Sequence, residues 1–412
     1  MSKTALVLVL VACLLIGIFS YVILFTNLLN TPQAQGGDNP NPEATPTPST
    51  SENPNNTPSA TPSSGEPSSN PSPKPTVPIN TDPLPGPHVN EVDHEVPSDY
   101  VWNSSEVIEV GLNGNSITVS QPNVATVEGS RITITTAGTY RLSGSLTDGQ
   151  VIVNADKALV RLILNNVNIH CSSSAPVYVV DSKKTIIILE DGTQNTITDS
   201  SSYNVDSSGE PNGAVFSKSD LSIYGKGALN VQAHYNDGIA SKDGLVINSE
   251  GQITVNAVDD GIRGKDYLVV RNCHVTLNAG GDGLKSDDTE DVARGYVTIE
   301  NGVLHVTAGR DAVDAQTDFL MKNGQFTAVA GGGSSNNVVE GTSTKGIKAT
   351  VDLVIENGVF DIDSSDDAIH SNGTLTIHGG TFDLTTNDDG MHADGALVIN
   401  NGVINFPNAL KD

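Results

Sequence analysis

The sequence predicts an all-β protein built as a parallel β-helix, a solenoid of about 22 residues per coil that follows an apolar N-terminal segment and a long polar linker. Three observations carry this reading. From Asp220 onward one unit recurs: apolar alternation, an Asn-Gly or Gly-Gly turn, a second alternation, then Asp-Gly or Asp-Ala with an aliphatic residue. The chain of 412 residues holds 40 glycines and only 4% aromatics, a balance that suits repetitive strands and turns. Long amphipathic helical patterns are missing.

Residues 5–25 (ALVLVLVACLLIGIFSYVILF) are apolar apart from Ser20 and Tyr21, follow Lys3, and are long enough to cross a bilayer with the N-terminus inside. We read residues 1–30 as a signal anchor, so that the rest of the chain lies outside a bacterial membrane. Leu10-Val11-Ala12-Cys13 also matches a lipobox that would lipidate Cys13. The apolar run continues past Cys13, where a lipoprotein signal ends, which favours the membrane helix. Residues 31–98 are rich in Pro, Ser, Thr and Asn and too polar to bury a core, so they read as a disordered linker. Partly extended, such a stalk reaches on the order of 100–200 Å.

Residues 99–412 form the repeating domain. The turn unit appears as NDGIASKD (236–243), DDGIRGKD (259–266), GDGLKSDD (281–288), RDAVDAQTD (310–318), TKGIKATVD (344–352), DDAIHSNG (366–373) and DDGMHADG (388–395). With Asp237, Asp260, Asp282, Asp311, Lys345, Asp367 and Asp389 as anchors, the spacings are 23, 22, 29, 34, 22 and 22. The long ones hold insertions at 289–296 and 330–343. The preceding strands repeat as VTIENGVLHVTAG, LVIENGVFDIDSS, LTIHGGTFDLTTN and LVINNGVINF, where the Gly after Asn fits a position of positive φ. A period near 22 argues against a nonapeptide calcium roll, and the LxxLxL pattern of leucine-rich repeats is missing. Residues 101–135 are expected to cap the N-terminal end, and beyond Asp412 further coils or a cap are expected.

Of the 48 acidic residues nine lie in the first hundred positions, leaving 39 against 19 Lys and Arg in the remainder. That surface excludes nucleic acid as a partner and suits cations. Three cysteines, Cys13, Cys171 and Cys273, make no disulfide framework or zinc pattern, and the last two are expected to be buried thiols.

The ordered series GTYRLSG (138–144), LNNVNI (164–169), DGTQNTITD (191–199), GAVFSKSDLSIYGKGAL (213–229), DGIASKD, DDGIRGKD, GDGLKSDD and STKGIKA (343–349) resembles the carbohydrate-binding β-helix family of cellulose-degrading anaerobes, across roughly 136–405. The resemblance implies a right-handed, calcium-containing β-helix, similar in shape to pectate lyases, that binds cellulose and acidic sugars such as polygalacturonate. It does not imply lyase activity.

Equivalent residues of successive coils lie about 4.8 Å apart, so the anchor aspartates form a ladder whose mutual repulsion demands cations. Calcium suits such oxygen donors, and Asp237, Asp259, Asp260, Asp282, Asp287, Asp288, Asp366, Asp367, Asp388 and Asp389 are the candidate ligands. Alternatively each Asp caps its own turn. Three residues after each anchor runs a second column: Ala240, Arg263, Lys285, Asp314, Lys348, His370 and His392. These side chains either pair with the aspartates or face a groove, where Arg263, Lys285, Lys348, His370 and His392 would bind uronate carboxylates.

Three functions are therefore open: a surface-tethered binder of cellulose or pectin, a calcium-dependent polysaccharide lyase with Lys285, Lys348 or Arg263 as base, and an adhesin-like spacer. Nearby aspartates raise a lysine pKa, which weakens the lyase. Aromatics for sugar stacking are sparse. Trp102 precedes the repeats, Phe319, Phe326, Phe360 and Phe382 read as core, and cellulose contact falls to flat ladders of Asn, Thr and Asp.

Overall fold

The computed structural model describes residues 92–407, all within one compact unit spanning Thr76–Asp412. The segments read as membrane helix and most of the linker lie outside the described residues, as does Cys13. Among the described residues there is no α-helix, and no helix long and apolar enough to cross a membrane. Short strands follow one another through turns, with 3-10 turns at Pro97–Tyr100 and Ser104–Glu106.

From residue 213 onward each repeat contributes three strands, and each strand pairs in parallel with its counterpart one repeat later. Asp237–Ser241 pairs with Ile262–Gly264, Gly244–Ser249 with Tyr267–Arg271, and Gln252–Ala257 with Cys273–Ala279. The same step of three strands continues to Met391–Ala393, Ala396–Ile399 and Val403–Asn405. Long stretches of aligned parallel strands result, in which a residue's neighbour is its repeat equivalent.

Alternation along each strand sends every second side chain inward. The inward columns are aliphatic: Ile239, Ile262, Leu284, Val313, Ile347 and Ile369 in one series, and Leu245, Leu268, Val297, Phe319, Leu353 and Leu375 in the next, all fully buried. Phe326, Phe360 and Phe382 stack in a third column, with Phe360 and Phe382 4.6 Å apart, so these phenylalanines are core. Cys171 and Cys273 are buried free thiols. The turn glycine adopts positive φ at Gly358 (141°) and Gly402 (137°), each after Asn, and at Gly380 (119°), after Gly379, where a Cβ on Gly380 would come 3.0 Å from the Gly358 carbonyl.

Antiparallel pairing occurs between Ile108–Gly114 and Ile117–Val119, and between Ala125–Glu128 and Arg131–Ile134. These two hairpins occupy 108–134, where a cap is expected, and one strand of each, Ile108–Gly114 and Arg131–Ile134, already pairs in parallel with a following strand. The insertions run as loops without strands between Ser286 and Tyr296 and between Ala330 and Ile347.

Leu268 is packed between Leu245 and Val297 with no exposure. Leu268→Ala is expected to lower unfolding free energy by about 2–5 kcal/mol, because a rigid stack cannot collapse onto the cavity. Denaturant unfolding followed by circular dichroism checks this.

Candidate functional site

The anchor aspartates stand at the turn that leads into the first strand of each repeat. One carboxylate oxygen of each accepts the backbone N–H of the next anchor: Asp260 donates to Asp237 at 3.3 Å, Asp282 to Asp260 at 2.9 Å, Asp311 to Asp282 at 3.1 Å, and Asp389 to Asp367 at 3.0 Å. Lys345 donates likewise to Asp311 at 2.6 Å. The glycine after the anchor donates to the next anchor's carbonyl, as Gly261 does to Asp282 at 2.8 Å. Side chain and backbone therefore bind each repeat to its successor at the same point.

The other carboxylate oxygen faces the second column, whose members are direct neighbours across the strands: Ala240, Arg263, Lys285, Asp314, Lys348, His370 and His392. Arg263 reaches Asp237 at 2.8 Å and Asp287 at 3.1 Å. Lys285 Nζ lies 2.5 Å from Asp282 and 3.3 Å from Asp260, and Lys348 Nζ lies 2.9 Å from Asp314 and 3.6 Å from Asp311. His370 Nδ1 meets Asp367 at 2.7 Å, and His392 Nδ1 meets Asp389 at 2.9 Å. Where the ladder itself carries Lys345, its ammonium bonds Asp366 and lies 3.7 Å from Asp367. The column and the ladder form one alternating seam.

Burial sets the electrostatics of that seam. It pushes the Asp237 carboxyl up to about 7 against the pull of Arg263, and Asp311 up to about 6 against Lys348. Burial opposes the charged form of Lys285 and Lys348 too. There the surrounding aspartates prevail, holding both ammoniums, and the Arg263 guanidinium, above their ordinary range. For Asp367 burial is outweighed by His370 and the Asp389 N–H, and its carboxyl sits below the usual range.

Of the doubled aspartates, Asp287 and Asp288 part, whereas Asp366 and Asp367 converge. Asp288 turns away from Asp287, accepts the N–H groups of Glu290 at 2.7 Å and Asp291 at 3.1 Å, and so caps the 287–295 loop. Asp259 and Asp260 approach each other over Gly281, whose ideal Cβ would lie 2.3 Å and 2.7 Å from their oxygens. Carboxylate oxygens converge within 4.8 Å in two sets, Asp282/Asp311/Asp314 and Asp366/Asp367/Asp388. The first is answered by Lys285 and Lys348. The second has one ammonium, Lys345, and the His370 imidazole against three carboxylates, with Asp388 exposed and raised by burial and its acidic neighbours. Its all-oxygen donor set fits a hard divalent cation such as calcium. His370, His392 and Asp367 also converge, and the imidazoles stack at 4.9 Å. Their Nε2 atoms are taken by Asn372 at 2.9 Å and Asp394 at 3.1 Å, so both rings serve as partners of the ladder.

Two outward faces flank the seam. Gln252–Ala257, Cys273–Ala279, Gly302–Ala308 and Gln325–Ala330 present aligned columns, among them Thr254, Thr276, His305 and Thr327, and Asn256, Asn278 and Thr307. Asn278 donates to Asn256 at 2.8 Å. The face of the second strands is covered instead by residues 93–102, the tail of the stretch read as linker together with the only tryptophan. His94 stacks on Tyr267 at 3.6 Å and bonds Tyr296, while Tyr100 packs on Tyr224 at 4.2 Å. Asp99 pairs with Lys184 at 2.9 Å, and Arg271 holds Asp93 and Glu95 at 3.1 Å and 3.2 Å. The available signal was local: HEVPSDYVW (94–102) departs from the Pro/Ser/Thr composition before it.

A family model described as carbohydrate-binding domain-containing protein matches residues 128–390. A curated protein of that description from Acetivibrio thermocellus is 35% identical over 204 residues, 49% of this chain and 71% of its own length. A solved structure described as the polysaccharide lyase-like protein from C. thermocellum, a gadolinium derivative, shares the fold: TM-score 0.52 at 24% identity, covering 72% of this chain and 99% of that one.

The seam predicts a pH dependence. Carboxyls raised in the folded state stabilise it below their ordinary pKa, and that contribution is lost as pH climbs through about 6 at Asp311 and about 7 at Asp237. With chelator present, the melting temperature should fall between about pH 4 and about pH 7. Asp311→Asn should flatten the slope, as thermal melts across that range will show.

Proposed function

The chain belongs to the carbohydrate-binding domain family, and from that premise we propose that it is a cell-surface protein that binds plant cell-wall polysaccharide, cellulose or polygalacturonate, along a right-handed parallel β-helix stabilised by calcium. The observation that carries the reading is the open face of aligned Thr, Asn and Gln columns, which offers a regular array of hydroxyls and amides to an extended polymer. The step of three strands between partners supports the solenoid. Residues 1–30 as a membrane anchor and 31–98 as a stalk would present residues 99–412 at the cell surface.

Calcium belongs at Asp366, Asp367 and Asp388, where three carboxylates meet one ammonium. Bound there it would neutralise the surplus charge and join two successive repeats. Saturating calcium is expected to stabilise the wild type, by about 2.7 kcal/mol at a hundred times its dissociation constant. Asp388→Asn should lose most of that gain in a thermal melt.

The lyase reading requires a base of lowered pKa, and Lys285, Lys348 and Arg263 are all raised and ion-paired. Binding without cleavage is therefore preferred. Incubated with polygalacturonate and calcium, the chain should release no unsaturated product absorbing in the ultraviolet. Co-sedimentation of the full chain with insoluble cellulose and polygalacturonate, each with calcium and with chelator, tests the reading. Retention on either polymer is expected; retention on neither would leave a spacer.

A further inference from the structure

A cavity of about 510 Å³ opens beside residues 102–107, over the outward side of the second-strand series. Ile163, Ile188, Tyr224 and Trp102 line it and belong to one apolar cluster distinct from the main core. Both aromatic residues are partly exposed, although a core role would bury them fully. Around them stand polar groups: Asn248 and the ion pairs Arg141–Glu190 and Lys226–Glu250, each at 2.9 Å. The segment that crosses the sheet face thus does more than cover it, since it delivers the chain's single tryptophan to the edge of a pocket.

We propose that this cavity is a subsite for a short stretch of a neutral, β-linked hexose polymer, an assignment that rests on the carbohydrate-binding reading above and locates part of it. A pyranose has an apolar C–H face that suits an aromatic surface and a rim of hydroxyls that suits amides and carboxylates. Charge selects the neutral polymer. Arg141 and Lys226 are already paired, and Glu109 and Asp191 add two more carboxylates to the lining, so the pocket carries a negative surplus that repels uronates. Trp102, which the repeats do not include, thereby joins Tyr224 of the strand Leu221–Gly225 as a sugar-stacking aromatic.

The single tryptophan makes the test direct, because emission excited beyond tyrosine absorption comes from Trp102 and so reports this cavity. Titration with cellohexaose should shift Trp102 emission to shorter wavelength, and trigalacturonate should leave it unchanged. Trp102→Ala should weaken cellohexaose binding about tenfold by calorimetry. Emission that stays unchanged while the chain still sediments with cellulose would overturn the subsite and leave the family reading intact. A response to trigalacturonate and not to cellohexaose would overturn the neutral assignment. If the chain sediments with no polysaccharide and its emission never moves, both readings fail. The wild-type emission decides these outcomes even if Trp102→Ala does not fold.

Discussion

Everything in this fold depends on how a buried carboxylate is satisfied twice. At Asp237, Asp260, Asp282, Asp311 and Asp367 the anchor gives one oxygen to the backbone N–H of the next anchor and the other to a residue of the second column, as Asp237 does with Asp260 and Arg263. The first bond sets the register between repeats. The second makes burial of the carboxylate tolerable, since a charge removed from water needs a partner. Stacked carboxylates also repel one another, and the alternation of Arg263, Lys285, Lys348, His370 and His392 against the ladder offsets that repulsion over most of its length.

This arrangement bears on function by elimination. Cations tied into the seam are poorly placed to bind a substrate carboxylate or to abstract a proton, and their raised pKa values follow from the aspartates that hold them. What remains for a ligand is the outside of the strands. There one face offers flat columns of hydroxyls and amides, while the other is crossed by residues 93–102 and hollowed beside Trp102. The seam runs shortest of cations at Asp366, Asp367 and Asp388, which is why calcium is proposed there.

Periodicity made much of this visible in the sequence. A parallel stack converts spacing along the chain into adjacency in space, so residues three after each anchor had to become neighbours, and Arg263 does lie beside Lys285 and His370 beside His392. The phenylalanine column and the positive-φ glycines follow from the same regularity. Features that occur once were not legible. Residues 93–102 form no repeat, and although the composition of HEVPSDYVW (94–102) marks the segment as unlike the linker, its partners Tyr224, Arg271 and Tyr296 lie more than a hundred residues away and are not given by any spacing. Sequence spacing does not tell which doubled aspartates converge: Asp366 and Asp367 do, whereas Asp288 turns to the following loop and Asp287 to Arg263.

The claim that aspartate and cation act as one structural unit is tested most directly by a double-mutant cycle on Asp237 and Arg263, with Asp237→Asn, Arg263→Met and the double variant unfolded in denaturant. A unit of this kind predicts that the double variant loses less stability than the single losses summed, with a coupling of about 0.5–3 kcal/mol. Additive losses would contradict it, and would mean that the carboxylate ladder is held by backbone N–H groups alone.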